Sequence, residues 1–457
     1  MKNGLVKETV FGTCCDLTYE GFGVLKHGKD VLFVAGMFPG EEGEVQIEYR
    51  RAGQIYGKVK KLTKISPSRI NPECKICSAC GGCVFQQYAY EAELAFKTKK
   101  VQEQFRKVAH MDVRPLPCIG MEQPRFYRNK IQMPFGKDNK GNVYCGFYKS
   151  GTHVIVPVQK CFIEDERAEK ILSAAKSLMK SMHIAPYEED SRHGVVRHIL
   201  IRTSKHYPQV MVVLITNVET FPSSANFVKA LVSACPEITT VVQNVNSRQT
   251  NVILGEKERV LYGKGYIEDD LCGLHFRISA KSFFQVNPVQ TEVLYQTAMK
   301  AAKLTKDDVV FDAYSGIGTI GLIAAKEAGK VLSVEIVPEA VRDGRRNAKA
   351  NSIENFEMYC DDASTFMVRM AEKKGHVDVL FMDPPRKGSD QRFLDALCKL
   401  KPNRVVYISC DPSTLARDCA YLSKMYQIDS IQPVDMFPRS FHVESVVALT
   451  LRDSKKR

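Results

Sequence analysis

From about residue 280 onward, short apolar runs alternate with helical patterns, and this alternation limits the folds open to the chain. The runs cover residues 309–312, 330–335, 356–359, 377–383 and 405–409, with helical patterns over 320–327 and 339–351. Strands that alternate with helices predict a doubly wound parallel sheet. Ligands of such sheets bind at the carboxyl ends of the strands. Residues that end these strands are therefore the first candidates for a functional site.

The last of these runs leads into Cys410, which Asp411 and Pro412 follow directly. An Asp-Pro pair favours a turn, so the thiol is expected at the edge of the sheet where ligands bind. Many single cysteines are buried structural residues instead. This stretch alone leaves a nucleophile and a structural cysteine equally open, and other motifs must decide between them.

A glycine-rich turn follows the first run, where Gly316, Gly318 and Gly321 separate a predicted strand from a predicted helix. Glycines at such a turn let the backbone approach a ligand closely. Glu335 ends the next run, where its carboxylate can accept hydrogen bonds from ribose hydroxyls. These features favour a nucleoside-containing cofactor and leave NAD and S-adenosylmethionine open.

The fourth run ends in Asp383-Pro384-Pro385-Arg386. An Asp-Pro-Pro sequence at this position is typical of methyltransferases, where the rigid prolines shape a loop against the target base. Enzymes that methylate exocyclic nitrogens usually have an aromatic residue after the prolines. Arg386 occupies that position and disfavours N-methylation.

Cys74, Cys77, Cys80 and Cys83 follow one another at intervals of two intervening residues. In a reducing compartment this spacing predicts metal binding, and zinc and iron–sulfur clusters both remain open. The tight run with Gly-Gly is more similar to ferredoxin-type ligation than to a zinc ribbon. Cys161 lies after a strand-like run and is a candidate for a remote ligand.

The formal net charge of +13 over 457 residues favours a polyanionic partner, most simply nucleic acid. No apolar run is long enough to span a membrane and no signal peptide is evident, so a cytoplasmic location without membrane contact is expected. Strand-like runs over residues 18–24, 30–34, 44–49 and 56–62 predict a small OB-like barrel. Its basic residues favour contact with RNA.

Together these motifs resemble those of the RNA uracil-5-methyltransferases, and most of all the iron–sulfur 23S ribosomal RNA (uracil-5-)-methyltransferases with an N-terminal TRAM domain. The motifs that carry the resemblance are Phe283-Phe284-Gln285-Val286-Asn287, residues 312–321 and 383–388, Ser409-Cys410-Asp411-Pro412 and His442-Val443-Glu444-Ser445. The transfer RNA branch of the family typically lacks both the barrel and the cysteine run, which makes a transfer RNA substrate the second choice.

The resemblance implies a multidomain chain. Residues 1–66 are expected to form the TRAM-like OB barrel, 67–280 a central α+β domain with the metal cluster, and 281–457 a Rossmann-like class I methyltransferase domain. A helical pattern over 90–115 is a candidate to pack on the catalytic domain. The expected partner is 23S ribosomal RNA, methylated at one or two sites, and no obligate protein partner is evident.

The resemblance also implies roles for single residues. Cys410 is the expected nucleophile, attacking C6 of uracil, and Glu444 the expected general base. The residues expected to contact S-adenosylmethionine are Gln285, Tyr314, Glu335 and Asp383, with Thr319 and Asp362. A 4Fe-4S cluster is expected on Cys74, Cys80, Cys83 and Cys161, with Cys77 outside the family pattern and able to replace one of them.

Two other classes of protein share some of these features. A radical S-adenosylmethionine enzyme also combines a cluster with this cofactor, but it requires a C-x3-C-x2-C motif that the cysteine run does not contain. A non-enzymatic RNA-binding protein would explain the barrel and the charge. It would leave Cys410 and Asp383 without a role.

Overall fold

The computed structural model describes residues 8–149, 152–250 and 252–452. Within them, the first five strands close into a barrel in the order β1-β2-β3-β5-β4. These strands are β1 (Thr9–Leu17), β2 (Gly23–His27), β3 (Asp30–Ala35), β4 (Glu42–Arg51) and β5 (Gln54–Lys64). The barrel is confirmed, but a strand over 18–24 is wrong, because residues 18–22 form the turn between β1 and β2.

A seven-stranded sheet forms the centre of the described chain, in the order β12-β11-β10-β9-β6-β7-β8. Its strands are β6 (Lys130–Lys137), β7 (Val143–Tyr148), β8 (Ile155–Pro157), β9 (Val196–Thr203), β10 (Val210–Thr216), β11 (Ile238–Val245) and β12 (Lys257–Tyr262). The helices of this region are α1 (Cys77–Cys80), α2 (Tyr90–Gln104), α3 (Arg167–Ser181) and α4 (Ser224–Ala234), and α2 continues as a π-helix over Phe105–Ala109. A hairpin of β13 (Tyr266–Leu271) and β14 (Leu274–Ser279) follows.

The strand–helix alternation forms the predicted doubly wound sheet. Its strands are β15 (Val309–Ala313), β16 (Lys330–Glu335), β17 (Phe356–Cys360), β18 (Val379–Met382), β19 (Arg404–Ser409), β20 (Tyr426–Val434) and β21 (Glu444–Leu451). Its helices are α5 (Pro288–Ala302), α6 (Thr319–Ala325), α7 (Pro338–Ala350), α8 (Ala363–Glu372), α9 (Gln391–Leu400) and α10 (Pro412–Leu422). Among the described residues the strand order is β17-β16-β15-β18-β19-β21-β20, with β15 to β19 parallel.

The last strand of this sheet, β21, runs in the opposite direction to its two neighbours. β21 pairs antiparallel with both β19 and β20, so it enters the sheet between them. Its first residues therefore lie at the edge where the parallel strands end. Side chains from the start of β21 and from the end of β19 meet at that edge.

A buried lysine of helix α2 forms ion pairs that join this helix to the C-terminal doubly wound domain. Lys97 is fully buried, and its Nζ lies 2.6 Å from both Glu93 Oε1 and Asp435 Oδ1. The other oxygen of Asp435 accepts a hydrogen bond from the Tyr90 hydroxyl at 2.8 Å. Asp435 directly follows β20, so this network holds the start of the segment that leads to β21. No helix in the described ranges is long and apolar enough to cross a membrane.

We expect Lys97→Ala to destabilise the protein strongly, because two carboxylates would remain buried without their cation. Breaking a buried ion pair from one side typically costs about 3–5 kcal/mol. The matched control is Lys99→Ala on the same helix. This substitution removes an exposed ion pair with Asp16 of the barrel and should cost at most about 1 kcal/mol. Thermal unfolding of both variants measures the difference, and equal unfolding midpoints would contradict the role of Lys97.

Candidate active site

The glycine-rich turn is held from beneath by a buried carboxylate. The Oδ2 atom of Asp312 accepts hydrogen bonds from the Gly321 amide at 3.0 Å and from the Ser333 hydroxyl at 3.1 Å. A Cβ at position 321 would lie 2.8 Å from the same oxygen. Only glycine therefore lets α6 begin this close to β15.

Glu335 joins this turn to the tip of the next strand. Its Oε2 accepts a hydrogen bond from the Gly316 amide and its Oε1 one from the Val337 amide, both at 2.9 Å. The carboxylate thus lies beside the turn at the carboxyl edge of the sheet. That is the position from which an acidic residue can bind the ribose hydroxyls of a nucleoside.

A cavity of about 1000 Å³ opens at this edge of the sheet. The predicted site residues that line it are Gln285, Tyr314, Glu335, Asp383, Cys410 and Glu444. Two other predicted residues lie outside its lining. Thr319 begins α6, and Asp362 caps α8 by accepting a hydrogen bond from the Thr365 amide at 2.9 Å. Cofactor contact by Thr319 and Asp362 stays a prediction.

Strand pairing brings Cys410 and Glu444 together across 34 positions of sequence. In the antiparallel pair of β19 and β21, Ser409 lies opposite Ser445. Cys410 directly follows Ser409 and Glu444 directly precedes Ser445, and both line the cavity. Facing residues of an antiparallel pair have Cβ atoms about 4.5–5.5 Å apart. A thiol and a carboxyl group thus share one wall of the cavity.

The turn after Cys410 is stabilised by its own helix cap. The Asp411 side chain accepts hydrogen bonds from the Ser413 amide at 2.8 Å and the Thr414 amide at 3.2 Å, and Pro412 is the first residue of α10. Asp and Pro are favoured at these two helix positions. The Asp-Pro pair thus fixes the turn that leaves Cys410 at the tip of β19.

Burial disfavours negative charge throughout this site. The pKa of Cys410 is raised to about 12, first by burial and then by the charges of Glu444 and Asp383. The pKa of Glu444 is raised to about 8 by burial and by Asp383, and burial raises the pKa of Asp383 to about 7. Burial thus favours the protonated forms of Cys410 and Glu444.

Three further side chains that line the cavity were not assigned a role from the sequence. The positive charge of Arg386 lowers the pKa of both Cys410 and Glu444, in opposition to burial. Burial, with Arg386 and two lysines nearby, lowers the pKa of His442 to about 4, so its ring is neutral at pH 7. Phe283 is 67% exposed at the cavity, where a flat aromatic ring can stack on a base.

Two kinds of comparison with known proteins bear on this site. A protein-family model described as tRNA (Uracil-5-)-methyltransferase matches residues 236–452. A protein of Oceanobacillus iheyensis described as an uncharacterized RNA methyltransferase is 44% identical over 440 residues, which are 96% of this chain and 95% of that protein. A protein of Halalkalibacterium halodurans with the same description is 41% identical, and the match covers 99% of this chain and 98% of that protein.

The chain belongs to the RNA uracil-5-methyltransferase family. The resemblance of its motifs to this family is thereby confirmed. A solved structure of the family extends the likeness to the whole fold. The Pyrococcus abyssi tRNA (uracil-54, C5)-methyltransferase, in complex with S-adenosyl-L-homocysteine, is 26% identical to this chain with a TM-score of 0.77. The match covers 96% of this chain and 100% of that one.

This RNA uracil-5-methyltransferase family member uses S-adenosylmethionine as its methyl donor. The cavity fits that cofactor, since it combines the glycine-rich turn, the Glu335 carboxylate and about 1000 Å³ of space. S-adenosylmethionine carries a positive sulfonium group. A positive charge in this cavity favours the anionic forms of Cys410, Glu444 and Asp383, all of which burial disfavours.

The cysteine run surrounds a second cavity, of about 270 Å³. The cysteines that line it are Cys74, Cys77, Cys80, Cys83 and Cys161. Within residues 8–149, 152–250 and 252–452, no group of three or more His, Cys, Asp and Glu side chains is arranged to hold a metal ion. The described residues therefore do not show the metal-coordinating group that the cysteine spacing predicts.

We expect the charge of the bound cofactor to control the reactivity of Cys410. With S-adenosylmethionine bound, alkylation of Cys410 by iodoacetamide at pH 8 should be roughly 3- to 10-fold faster than with S-adenosylhomocysteine, because a nearby cation favours the thiolate. The neutral thioether fills the same space and is the matched control. Peptide mass spectrometry follows Cys410 separately from the other cysteines. Equal alkylation rates with the two ligands would show that the sulfonium charge does not affect ionisation of the Cys410 thiol.

Proposed function

We propose that this protein methylates C5 of a uridine in 23S ribosomal RNA, at one or two sites, through a covalent bond between Cys410 and uracil C6. The observation that carries the proposal is that Cys410 and Glu444, which adjoin the last pair of β19 and β21, line one cavity. The two groups supply the nucleophile and the base that this chemistry requires. Neither residue has an evident structural role that would explain this placement.

Addition of Cys410 to the uracil ring is the first step. C5 of uracil is a poor nucleophile, and attack of the thiolate on C6 converts C5 to an enolate-like carbon that can accept a methyl group. Because burial holds Cys410 as a thiol, the site must favour the anion on substrate binding or deprotonate it during attack. The cationic Arg386 is one group that favours the anion.

S-adenosylmethionine, when bound, supplies the methyl group for C5. The C5 carbon then still carries its proton, and Glu444 is the base that removes it. Loss of the proton returns electrons to the ring, re-forms the C5–C6 double bond and expels Cys410 as the thiolate. Since the pKa of Glu444 is raised to about 8, its basic form gains in population as the pH rises toward 8.

We expect Cys410→Ala and Glu444→Gln to fail at different steps. Cys410→Ala should form neither adduct nor product, because C5 is never activated. Glu444→Gln keeps the shape of the side chain without the base, so methylated RNA should accumulate on Cys410. Loss of a general base typically slows a step about 10²–10⁴-fold. A denaturing gel with labelled RNA should show a slowly migrating band for Glu444→Gln that is absent for Cys410→Ala.

The native protein, quenched during turnover, is the control for this gel. A Glu444→Gln variant that turns over at the native rate without a retained band would assign the base to another group. A Cys410→Ala variant that still forms 5-methyluridine would exclude the covalent mechanism altogether. The two outcomes are independent, since one concerns elimination and the other addition.

Ribosomal RNA is favoured as the substrate by the cysteine run, which the transfer RNA branch of the family typically lacks. Transfer RNA is the second candidate. The Pyrococcus abyssi enzyme is named for a transfer RNA uridine, and its match covers 96% of this chain and so extends into the barrel, which therefore does not separate the two substrates. Mapping of 5-methyluridine in both RNA classes from a strain lacking this protein decides between them. Loss from 23S ribosomal RNA alone is the expected result.

We also propose that the cysteines of the second cavity bind a 4Fe-4S cluster, with Cys74, Cys80, Cys83 and Cys161 as ligands. Support comes from the spacing of these cysteines and from the one cavity that all four of them line. Cys77 lines the same cavity and can replace one ligand. The cavity does not share its lining cysteines with the active-site cavity, which favours a structural role.

We expect Cys83→Ser to lower the iron content of anaerobically purified protein and its thermal unfolding midpoint, because metal binding is coupled to folding. The matched control is Cys15→Ser, at an exposed cysteine of the barrel, which should change neither. Elemental analysis of iron and zinc measures the first effect. If the native protein contains stoichiometric zinc and no iron, the site binds zinc and the proposal of a cluster is wrong.

A further inference from the structure

The turn between the first two barrel strands is docked beside the active site. Residues 18–22 form this turn, which is closed by hydrogen bonds from the Gly21 amide to the Thr18 carbonyl and from the Thr18 amide to the Phe22 carbonyl. Gly21 has a φ of +83°, and a Cβ there would lie 2.8 Å from Val84 and 2.9 Å from Phe85. The turn is therefore seated tightly on the segment that contains these two residues.

That segment in turn is bonded to the segment before β21. The amides of Val84 and Phe85 both donate to the carbonyl of Arg439, at 2.9 and 3.1 Å. Arg439 lies in the connection between β20 and β21, which carries His442 to the cavity and ends at Glu444. Packing of the turn on Val84 and Phe85, together with the hydrogen bonds of these two residues to Arg439, thus links the barrel turn to the strand that bears the proposed base.

A buried lysine forms a second link through side chains. Lys100 of α2 is only 5% exposed. Its Nζ lies 3.6 Å from the centre of the Tyr19 ring and 4.8 Å from that of Phe441, and it donates to the Phe441 carbonyl at 2.6 Å. Cation–π contacts are strongest where water is excluded. The ammonium group therefore ties the barrel turn to the residue directly before His442.

Tyr19 also lies close to the residue that follows the nucleophile. The pKa of its hydroxyl is raised by burial first, and next by the charge of the Asp411 carboxylate, with a smaller contribution from Cys410. Burial and Lys97 lower the pKa of Lys100 to about 7, while Asp411 and Glu20 oppose this. These charges can interact only because the barrel turn, α2 and the tip of β19 meet in one place.

We propose that Tyr19 is a positioning residue of the methyl-transfer site, which makes the barrel a part of the active-site scaffold. Through Lys100 and Phe441, Tyr19 holds the segment that ends at Glu444. The inference rests on the proposed function and deepens it. The basic residues of the barrel predict contact with RNA alone, whereas this arrangement gives the barrel an effect on the rate of the chemical step.

The test is a set of single substitutions compared at saturating RNA and S-adenosylmethionine. Tyr19→Leu should lower the single-turnover rate of methyl transfer roughly 10- to 100-fold, because small misplacements of reacting groups have effects of this size. The Kd for RNA should stay within about 2-fold of the native value, since only the positioning of reacting groups is changed. Tyr19→Phe keeps the ring over Lys100 and should restore most of the rate.

Phe11→Leu is the matched control, because it makes the same kind of change at a ring that is 55% exposed on β1 of the same barrel. Its single-turnover rate should equal that of the native protein. Lys100→Met removes the cation between the two rings and should reproduce the defect of Tyr19→Leu; it carries the test if Tyr19→Leu does not fold. A native single-turnover rate in the folded Tyr19→Leu or Lys100→Met protein would overturn the proposal.

A second measurement separates this inference from the proposed function. If the native protein methylates neither ribosomal nor transfer RNA, the proposed function fails, and the rate of Cys410 alkylation without RNA then tests the role of Tyr19. Loss of the Tyr19 ring removes a contact that holds the segment of Phe441 and His442 beside the cavity, so Cys410 should react faster in Tyr19→Leu than in Phe11→Leu. Equal alkylation rates in these two variants would overturn the positioning role.

Discussion

The contact of Lys97 with Asp435 is the interaction on which the arrangement of the active site depends. A fully buried ammonium group requires carboxylates around it, and here they come from α2 itself and from the end of β20. This requirement fixes the start of the segment that leads to β21. Further along the same segment, Arg439, Phe441 and the start of β21 are bonded in turn to neighbouring elements. The position of Glu444 thus depends on contacts made far from the cavity.

The electrostatics of the cavity explain why a cationic cofactor suits it. Cys410, Glu444 and Asp383 are acidic groups that burial holds toward their protonated forms. Arg386 offsets only part of this effect. Bound S-adenosylmethionine brings a positive sulfonium, which favours the anionic forms of these groups.

Much of the fold was predictable because its patterns are local. Alternating apolar runs and helices predicted the doubly wound sheet, and glycine-separated runs predicted the barrel. The failure over residues 18–24 has a local cause as well, since Gly21 adopts a positive φ and the residues around it form a turn. The cysteine spacing predicted a metal-coordinating group, whereas the described residues show the sulfurs around a common cavity.

The sequence by itself determined the family, the strand ends that carry Cys410 and Asp383, and the glycine-rich turn, because each depends on residues adjacent in the chain. Only the tertiary structure decided which distant groups share the site. The entry of β21 between β19 and β20 brings Glu444 to the cavity that Cys410 lines. The docking of the barrel brings Tyr19 to Lys100 across 81 positions of the chain. Strand order and domain docking are long-range choices made by burial and charge pairing, and no local pattern encodes them.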